Sequence, residues 1–311
     1  MAVGDPLIAD PLPDTKLVSV IVTTRNSART LEACLASVRR QTYPDVELVV
    51  VDNSSTDITP AIAQRYCDVF ATKGPERSAQ RNFGVELCHG ACVLFIDSDM
   101  VLEEGVISEG LRALQDSDVR GVVIPELSFG DGFWTRCRIL ERQCYAGDDD
   151  VEAARLFRRA DFLETGGFDL ELNGAEDWDL STRVAGRSGL PRTSSIIHHD
   201  EGRISLGGTF VKRRYYAGGY LHYLAKHRGG ALTQANVILR PAFLRHWKDL
   251  LRHPFLAGGM FLLKMAEFAA VAEVAVQQWV MGRAPRRSEH VYRAETTTTP
   301  GAPTADGQRH T

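Results

Sequence analysis

The sequence predicts an α/β fold in which a Rossmann-like, mostly parallel sheet is flanked by helices. Two observations lead to this prediction. Short apolar runs with the composition of buried strands alternate with segments of helical spacing, and the runs end in polar residues. Strands that are apolar on both faces and separated by helices are typical of parallel sheets with right-handed crossovers. The predicted strands are 17–22, 46–51, 69–71 and 91–96, and the predicted helices include 30–40 and 78–87.

Polar residues follow three of the predicted strands, at 23–26, 52–55 and 97–99. In a parallel sheet the carboxyl ends of the strands share one edge, and ligands bind in the crevice beyond that edge. We therefore expect these three groups to converge on one binding site.

The chain divides into four predicted parts. Residues 1–15 form a flexible N-terminus, 16–230 the α/β domain, 231–285 a helical C-terminal region, and 286–311 a disordered tail rich in Thr, Pro and Gly. Within the domain, residues from about 119 to 228 are less regular. Their glycine-rich turns are typical of loops that line a binding site.

The composition is that of an ordinary globular protein. Apolar residues make up 44% of the chain, charged residues 24%, and the net charge is −4, so no basic excess points to nucleic acid as a partner. The six cysteines lack the paired spacing of a zinc site, and we interpret them as reduced, packed thiols of a cytosolic protein. The first residues carry acids and prolines where a signal peptide needs a basic start and an apolar run, so we expect a cytoplasmic protein.

One apolar stretch, residues 255–281, is long enough to span a bilayer. Lys264, Glu267 and Glu273 interrupt it, and each charge near the bilayer centre costs about 2.5–3.5 kcal/mol, which argues against a spanning helix. Basic residues flank the stretch on both sides. Two alternatives stay open: the helix packs on the domain, or it makes a peripheral contact with an anionic membrane, at the inner face of that membrane.

The segment Asp97-Ser98-Asp99 carries two carboxylates to the end of the fourth predicted strand. Mg²⁺ and Mn²⁺ prefer oxygen ligands and keep positions open for phosphate oxygens, so an acid pair at a strand end suits such a cation. The alternative interpretation is that these acids cap a helix or form a turn.

Two further groups of charged residues are candidates for binding and catalysis. Arg77 and Arg81 lie at the start of a predicted helix, where arginine donors beside free backbone N–H groups would bind a diphosphate. Ordinary surface arginines have the same pattern. Glu176 and Asp177 are candidates for a general base that accepts the proton of an acceptor hydroxyl. Their alternative role is to stabilise a helix at 180–184 through its dipole.

Two histidines and a lysine between residues 198 and 212 are the last candidates for the site. His198 and His199 follow a β-rich run, and one of them could join a metal site, although histidines in such a place are often structural. Lys212 belongs to a basic cluster that could neutralise a leaving diphosphate.

In this order the motifs resemble those of family 2 glycosyltransferases with the GT-A fold, over about residues 17–223. The resembling segments are the first strand with its end Thr23-Thr24-Arg25, Asp52-Asn53, Gln80-Arg81-Asn82, Asp97-Ser98-Asp99, Glu176-Asp177 and His199. Two positions depart from the family pattern: Asn53 replaces the second acid of a pair, and Gln80 replaces an alanine.

The resemblance implies a GT-A domain at 16–230 that transfers a sugar from a nucleotide sugar with inversion, using Mg²⁺ or Mn²⁺. It implies that Asp177 is the catalytic base, next to Glu176, and that Asp97, Asp99 and His199 surround the cation; His199 matches the family better than His198. The residues assigned to the nucleotide sugar are Thr23, Thr24, Arg25, Asp52, Asn53, Arg81, Asp97, Ser98 and Lys212.

The function predicted from the sequence is therefore that of a metal-dependent glycosyltransferase with a UDP- or GDP-sugar as donor. The acceptor hydroxyl would belong to a saccharide, a lipid-linked molecule or a small molecule. Three alternative functions would leave different signatures. A nucleotidyltransferase would carry a glycine-rich basic loop after the first strand, which this chain lacks. A phosphohydrolase with an Asp-x-Asp motif would carry that motif on the first strand, whereas here it ends the fourth. A non-catalytic protein that binds nucleotide sugars would need none of the acids.

Overall fold

The computed structural model describes residues 17–149, 151–185, 189–227 and 241–281. The flexible residues 1–15 and the disordered tail 286–311 predicted above lie outside these ranges. The strands are β1 (Val18–Thr24), β2 (Val46–Asp52), β3 (Val69–Thr72), β4 (Cys92–Asp97), β5 (Met100–Leu102), β6 (Gly121–Val123), β7 (Glu126–Phe129), β8 (Ala154–Arg158) and β9 (Ile197–Asp200).

These strands form two sheets. The central sheet has the order β3-β2-β1-β4-β8-β6, and the small sheet has the order β5-β9-β7. The first four strands of the chain pair in parallel, whereas β8 runs antiparallel to both β4 and β6. The predicted mostly parallel α/β fold is confirmed, and its four strands lie within two residues of the predicted bounds.

Helices cover both faces of the central sheet and extend beyond it. They are α1 (Leu31–Arg39), α2 (Thr59–Tyr66), α3 (Arg77–Leu87), α4 (Val106–Ala113), α5 (Phe133–Cys144), α6 (Arg159–Glu164), α7 (Glu176–Val184), α8 (Leu206–Lys226), α9 (Pro241–Arg245), α10 (Trp247–Arg252) and α11 (Pro254–Val280). The last three form the described part of the predicted helical C-terminal region.

Alternate residues of β1 explain why its central residues, Val20, Ile21 and Val22, are apolar at consecutive positions. Val20 and Val22 belong to a core with α1, α2 and α4, whereas Ile21 belongs to a second core with α3, α6 and α7. Because side chains of a strand alternate between the two faces, a strand covered on both faces needs apolar residues at every position. The parallel arrangement also sets where the strands end.

Candidate active site

The carboxyl ends of β1, β2 and β4 lie at one edge of the central sheet. In the register of the strands, Thr24 is paired with Asp52 and Thr23 with Asp97. The polar residues that follow the three strands therefore converge, as a parallel order requires. This edge is the floor of the candidate site.

Asp52 is buried, and its carboxylate organises the loop after β2. Its Oδ1 accepts hydrogen bonds from Thr24 Oγ1 at 2.8 Å and from Ser55 Oγ at 2.5 Å, and its Oδ2 accepts one from the Ser55 backbone N–H at 2.7 Å. A carboxylate offers about four lone-pair sites. Asp52 thus fixes the position of the loop at 53–55, and the direct contact with a base implied by the resemblance stays a prediction.

Two side-chain amides join neighbouring loops of the site. Gln80 Nε2 donates to the carbonyl oxygens of Thr24, at 3.1 Å, and Val51, at 2.7 Å. Asn53 Nδ2 donates to the carbonyl oxygen of Pro75 at 2.6 Å. Buried carbonyl groups need such donors, and the alanine that the family pattern expects in place of Gln80 could not supply one. Both departures from the pattern therefore have a structural role here.

Arg81 joins the Asp-x-Asp motif to the predicted catalytic base. Its guanidinium is fully buried; Nη2 donates to Asp97 Oδ1 at 2.8 Å and Nη1 donates to Asp177 Oδ1 at 2.7 Å. The ring of Phe168 lies 5.1 Å from the guanidinium carbon. Because Arg81 is enclosed, it acts on the crevice through these two carboxylates.

Asp97 lies among three guanidinium groups. Besides Arg81, Arg77 Nη1 lies 3.9 Å and Arg155 Nη1 lies 4.0 Å from its Oδ2. Burial alone would raise the pKa of Asp97, but the charges of the three arginines outweigh burial and hold it well below the ordinary value. Asp97 is therefore ionised at neutral pH.

Glu176 and Asp177 form the first turn of α7, which begins four residues earlier than the predicted helix at 180–184. Glu176 is 2% exposed; it accepts a hydrogen bond from the Gly174 backbone N–H, and its Oε1 lies 3.1 Å from Arg77 Nη2. Asp177 is more open, with 32% of its side chain exposed. Both acids lie where the helix dipole favours negative charge, and Asp177 alone of the two is open to the crevice.

Asp99 and His199 face each other across the pairing of β5 with β9. His199 Nε2 lies 3.5 Å from Asp99 Oδ2, and Nδ1 lies 3.1 Å from Glu126 Oε2. Burial alone would lower the pKa of His199, but the hydrogen bonds to both acids raise it to about 10. His198 follows the alternation of the strand to the opposite face, where it lies 3.3 Å from Glu103.

The remaining predicted residues make fewer contacts. Ser98 Oγ donates to Ser27 Oγ at 2.8 Å, which ties the Asp-x-Asp turn to the loop after β1. Arg25 in that loop is exposed, and so is Lys212 in the first half of α8. These two cations are available to a ligand.

The sequence did not single out Glu126 and Arg155. These two residues connect Asp97 to His199. Arg155 Nε donates to Glu126 Oε1 at 3.0 Å, and Glu126 in turn contacts His199. Burial would raise the pKa of Glu126, but the charges of Arg155 and His199 lower it well below its ordinary value. Both residues lie on strands of five residues or fewer, and alternation within so short a run gives no functional signal.

The fold and this arrangement of acids define a class of protein. A mannosyltransferase from Pyrobaculum calidifontis, solved in complex with GDP-Man and Mn²⁺, superposes with a TM-score of 0.53 at 20% identity, over 87% of this chain and 80% of that one. At that identity the likeness concerns the fold alone, which is the GT-A fold of glycosyltransferases.

The sequence comparisons identify the family. The model of glycosyl transferase family 2 matches residues 19–167. The PGL/p-HBAD biosynthesis glycosyltransferase Rv2957 of Mycobacterium tuberculosis is 31% identical over 184 residues, which cover 54% of this chain and 69% of that protein. The chain belongs to glycosyl transferase family 2, a family of sugar-transferring enzymes.

Other relatives match over shorter stretches. The glycosyltransferase GlyG of Streptococcus pneumoniae is 28% identical over 121 residues, which are 35% of this chain and 38% of GlyG. A Bacillus subtilis relative is covered to 32% of its length. The chain thus spans about a third of the length of these curated relatives.

Proposed function

We propose that this protein transfers a sugar from a UDP- or GDP-sugar to a hydroxyl of its acceptor, with inversion at the anomeric carbon and with the help of Mg²⁺ or Mn²⁺. The acceptor is a saccharide, a lipid-linked molecule or a small molecule. The observation that carries the proposal is the bridge made by Arg81, whose guanidinium binds Asp97 at 2.8 Å and Asp177 at 2.7 Å. Two carboxylates from distant parts of the chain are thereby held on one guanidinium.

Asp177 is the proposed base. Arg81 binds its Oδ1 and so fixes the orientation of the carboxylate, which leaves Oδ2 to accept the proton of the acceptor hydroxyl. The acceptor oxygen then forms a bond to the anomeric carbon, the bond from that carbon to the diphosphate oxygen breaks, and its electron pair leaves with the nucleoside diphosphate. Glu176 supports the base by fixing the turn before α7 and Arg77 beside it.

The donor set at Asp99 and His199 fits a divalent cation once the cation displaces the proton that His199 Nε2 shares with Asp99, because a metal ligand must be a neutral imidazole. Two ligand atoms of one octahedral Mg²⁺ lie about 3 Å apart, and the separation of 3.5 Å between Asp99 Oδ2 and His199 Nε2 is close to that. Within the described ranges, no three acidic, histidine or cysteine side chains gather around one point. The cation would therefore take further ligands from the donor diphosphate and water, and when bound it would neutralise the charge of the leaving diphosphate.

Asp97 has two proposed roles, contact with the ribose of the donor and contact with the metal. Both of its oxygens face arginines in this structure, so its proposed contact with the ribose or the metal requires that ligand to join the existing ion pairs. Arg25 and Lys212 are exposed and are proposed to bind the phosphates. Thr23, Thr24, Asp52, Asn53 and Ser98 would shape the nucleoside pocket through the loops described above.

The proposed location is the cytoplasm. All six cysteines are free thiols, and five of them are buried. Reduced, packed cysteines are characteristic of cytosolic proteins.

Donor binding is tested by thermal unfolding of the full chain. UDP-glucose, UDP-GlcNAc and GDP-mannose are each added with and without MnCl₂, and the midpoint of unfolding is recorded. A ligand that binds only the folded state raises that midpoint. We expect at least one of these donors to do so more strongly with Mn²⁺ than without. A chain that none of them stabilises in either condition would contradict the proposal.

Catalysis is tested with Asp177→Asn, which keeps the shape of the side chain and removes the base. With a panel of soluble and lipid-extract acceptors, we expect transfer to fall about 10²- to 10⁴-fold, while the donor still raises the unfolding midpoint. Asp118→Asn, at an exposed carboxylate outside the site, is the matched control and should transfer normally. A protein that merely binds nucleotide sugars would show no transfer in any form.

A further inference from the structure

Helix α11 directs two of its three charged side chains, Lys264 and Glu267, toward the protein, whereas Glu273 is 37% exposed and pairs with Arg214 of α8. Lys264 and Glu267 are each 4% exposed. Lys264 Nζ donates to Glu267 Oε2 at 2.9 Å, and Glu267 also binds Arg138 of α5, at 2.5 Å, and Arg213 of α8, at 3.2 Å. Lys264 also pairs with Glu141 of α5. The middle of α11 is thus attached to two helices of the catalytic domain through buried charges.

The opposite face of α11 is exposed and apolar. Its exposed residues are Pro254, Phe255, Gly258, Phe261, Leu262, Met265, Phe268, Ala269, Val276, Trp279 and Val280. From Phe255 to Ala269 they recur every three or four positions, and after a gap that contains Glu273 they resume at Val276. They therefore form a stripe along most of a helix of about 40 Å. A surface helix of a soluble domain normally has the reverse arrangement. A large exposed apolar patch of this kind marks an interaction surface.

The same helix is long and apolar enough to cross a bilayer by length and composition. The contacts of Lys264 and Glu267 decide against that arrangement. A helix that crossed the bilayer would carry both charges into the hydrocarbon or take α5 and α8 with it. The buried ion pairs instead hold α11 along the surface of the domain, with the stripe outward.

Cations adjoin the stripe at its N-terminal end. Leu244, Trp247 and Leu251 are exposed apolar residues of α9 and α10, the helices that directly precede α11 in the chain. The same two helices carry the cations Arg245, Lys248 and Arg252 and one carboxylate, Asp249.

The neighbours of these cations do not remove their charge from the surface. Lys248 Nζ lies 5.8 Å from the ring of Trp247. Arg245 pairs with Asp148 and Arg252 with Asp249, but their side chains are 60% and 71% exposed. Such exposed ion pairs are weak and can give way to lipid phosphates.

Tryptophans lie toward both ends of the surface. Trp247 is 53% and Trp279 is 83% exposed. Tryptophan favours the boundary between apolar and wet surroundings because its ring is apolar and its N–H needs a partner. A second copy of the chain would bury an apolar stripe equally well, but it would not account for the cations beside it.

We propose that the outer surface formed by α10 and the exposed stripe of α11, here called the outer face, binds an anionic phospholipid membrane with α11 parallel to the bilayer. The inference goes beyond the proposed function because it concerns where the enzyme acts and not which sugar it transfers. Apolar side chains enter the boundary of the acyl chains, and the cations contact the phosphate groups.

The test measures binding of the full chain to vesicles by sedimentation. Vesicles of phosphatidylcholine and phosphatidylglycerol in equal parts are compared with vesicles of phosphatidylcholine alone. We expect the wild type to bind the mixed vesicles more tightly and to be released by salt. The triple variant Leu262→Gln, Phe268→Gln, Trp279→Gln should bind them roughly tenfold more weakly or worse. A wild type that does not bind the mixed vesicles overturns the proposal.

The matched control carries the same kind of change at exposed apolar positions outside the outer face. Ile58→Gln, Leu163→Gln and Leu170→Gln replace side chains that are 66%, 52% and 51% exposed. This variant should bind vesicles as the wild type does. Equal binding by both triple variants would overturn the proposal, and so would a dimer that only the outer-face changes dissociate.

Stabilisation by donor and Mn²⁺ is recorded in the same samples, and it should be equal in all three proteins. If the donor stabilises the wild type and vesicles do not bind, the membrane inference fails while the proposed function stands. If vesicles bind and no donor stabilises the wild type, the proposed function fails while the membrane inference stands.

Discussion

Arg81 supports the strongest prediction, because one buried side chain holds two carboxylates of the candidate site. The change Arg81→Ala removes charge-assisted hydrogen bonds of 2.7 Å and 2.8 Å and leaves a hollow beside Phe168. Removing one partner of a buried pair costs about 3–5 kcal/mol. Arg77 and Arg155 remain within 4.0 Å of Asp97 and keep part of the attraction. We therefore expect a loss near the lower end of that range.

The assay is urea unfolding followed by circular dichroism. Arg65→Ala is the control, since Arg65 is 60% exposed and its nearest acidic oxygen lies 3.3 Å away in an equally exposed pair; such a pair contributes about 0–1 kcal/mol. If Arg81→Ala and Arg65→Ala unfold at the same urea concentration, the bridge does not stabilise the fold and the reasoning is wrong.

Arg81→Lys separates charge from geometry. Lysine keeps the positive charge but lacks the planar fork that reaches two carboxylates at once. We expect a smaller loss of stability, about 1–2 kcal/mol, with transfer reduced about a hundredfold because Asp177 loses its fixed orientation. Normal transfer by this variant would show that Asp177 needs no such support.

Three further outcomes follow from single residues. His199→Gln should raise the Mn²⁺ concentration needed for half-maximal transfer by tenfold or more. A chelator should stop transfer by the wild type reversibly. An unchanged Mn²⁺ requirement in the variant would contradict the assignment of His199 as a metal ligand. Burial alone would raise the pKa of Asp179, but three basic neighbours lower it below its ordinary value. The contribution of the Asp179 carboxylate to the stability of the fold is therefore complete above about pH 4 and fades as the pH falls. Asp179→Asn should lower the free energy of unfolding by about 3 kcal/mol in urea at pH 7 and by clearly less at pH 3. Gly219→Ala should destabilise by about 1–3 kcal/mol, because its Cβ would overlap Asn173 Oδ1 and lie 2.5 Å from backbone atoms of the same residue. Gly258→Ala, with nothing within 4 Å, is its control and should unfold no earlier than the wild type.

The sequence was sufficient for the sheet because the signals there are local. β1, β2 and β4 each contain an apolar run of three or more residues, and a polar residue ends the strand directly after that run, as at Asp52 and Asp97. Once the strands are parallel, their ends must share an edge. No knowledge of distant contacts is needed to reach that result.

The bridge at Arg81 could not be derived in the same way. The pattern indicated an arginine at a helix start, where a ligand phosphate is the usual partner. That the guanidinium instead lies between Asp97 and Asp177 depends on how α7 packs against α3, across 96 residues of chain. Glu126 and Arg155 were missed for a related reason, since their strands are too short for a period to be recognised.

Helix α11 shows the limit of periodicity most clearly. Lys264, Glu267 and Glu273 in an apolar run argued against a spanning helix, and they did not define one polar face. Periodicity tells which residues share a face, but not which face meets solvent. That is decided by the partners: Arg138 and Arg213, on two other helices, bind Glu267 and draw the charges inward. Because those partners hold Glu267 inward and Glu273 pairs with Arg214, the most exposed residues of α11 are apolar. This arrangement is the reason for proposing that the face meets the boundary of a membrane.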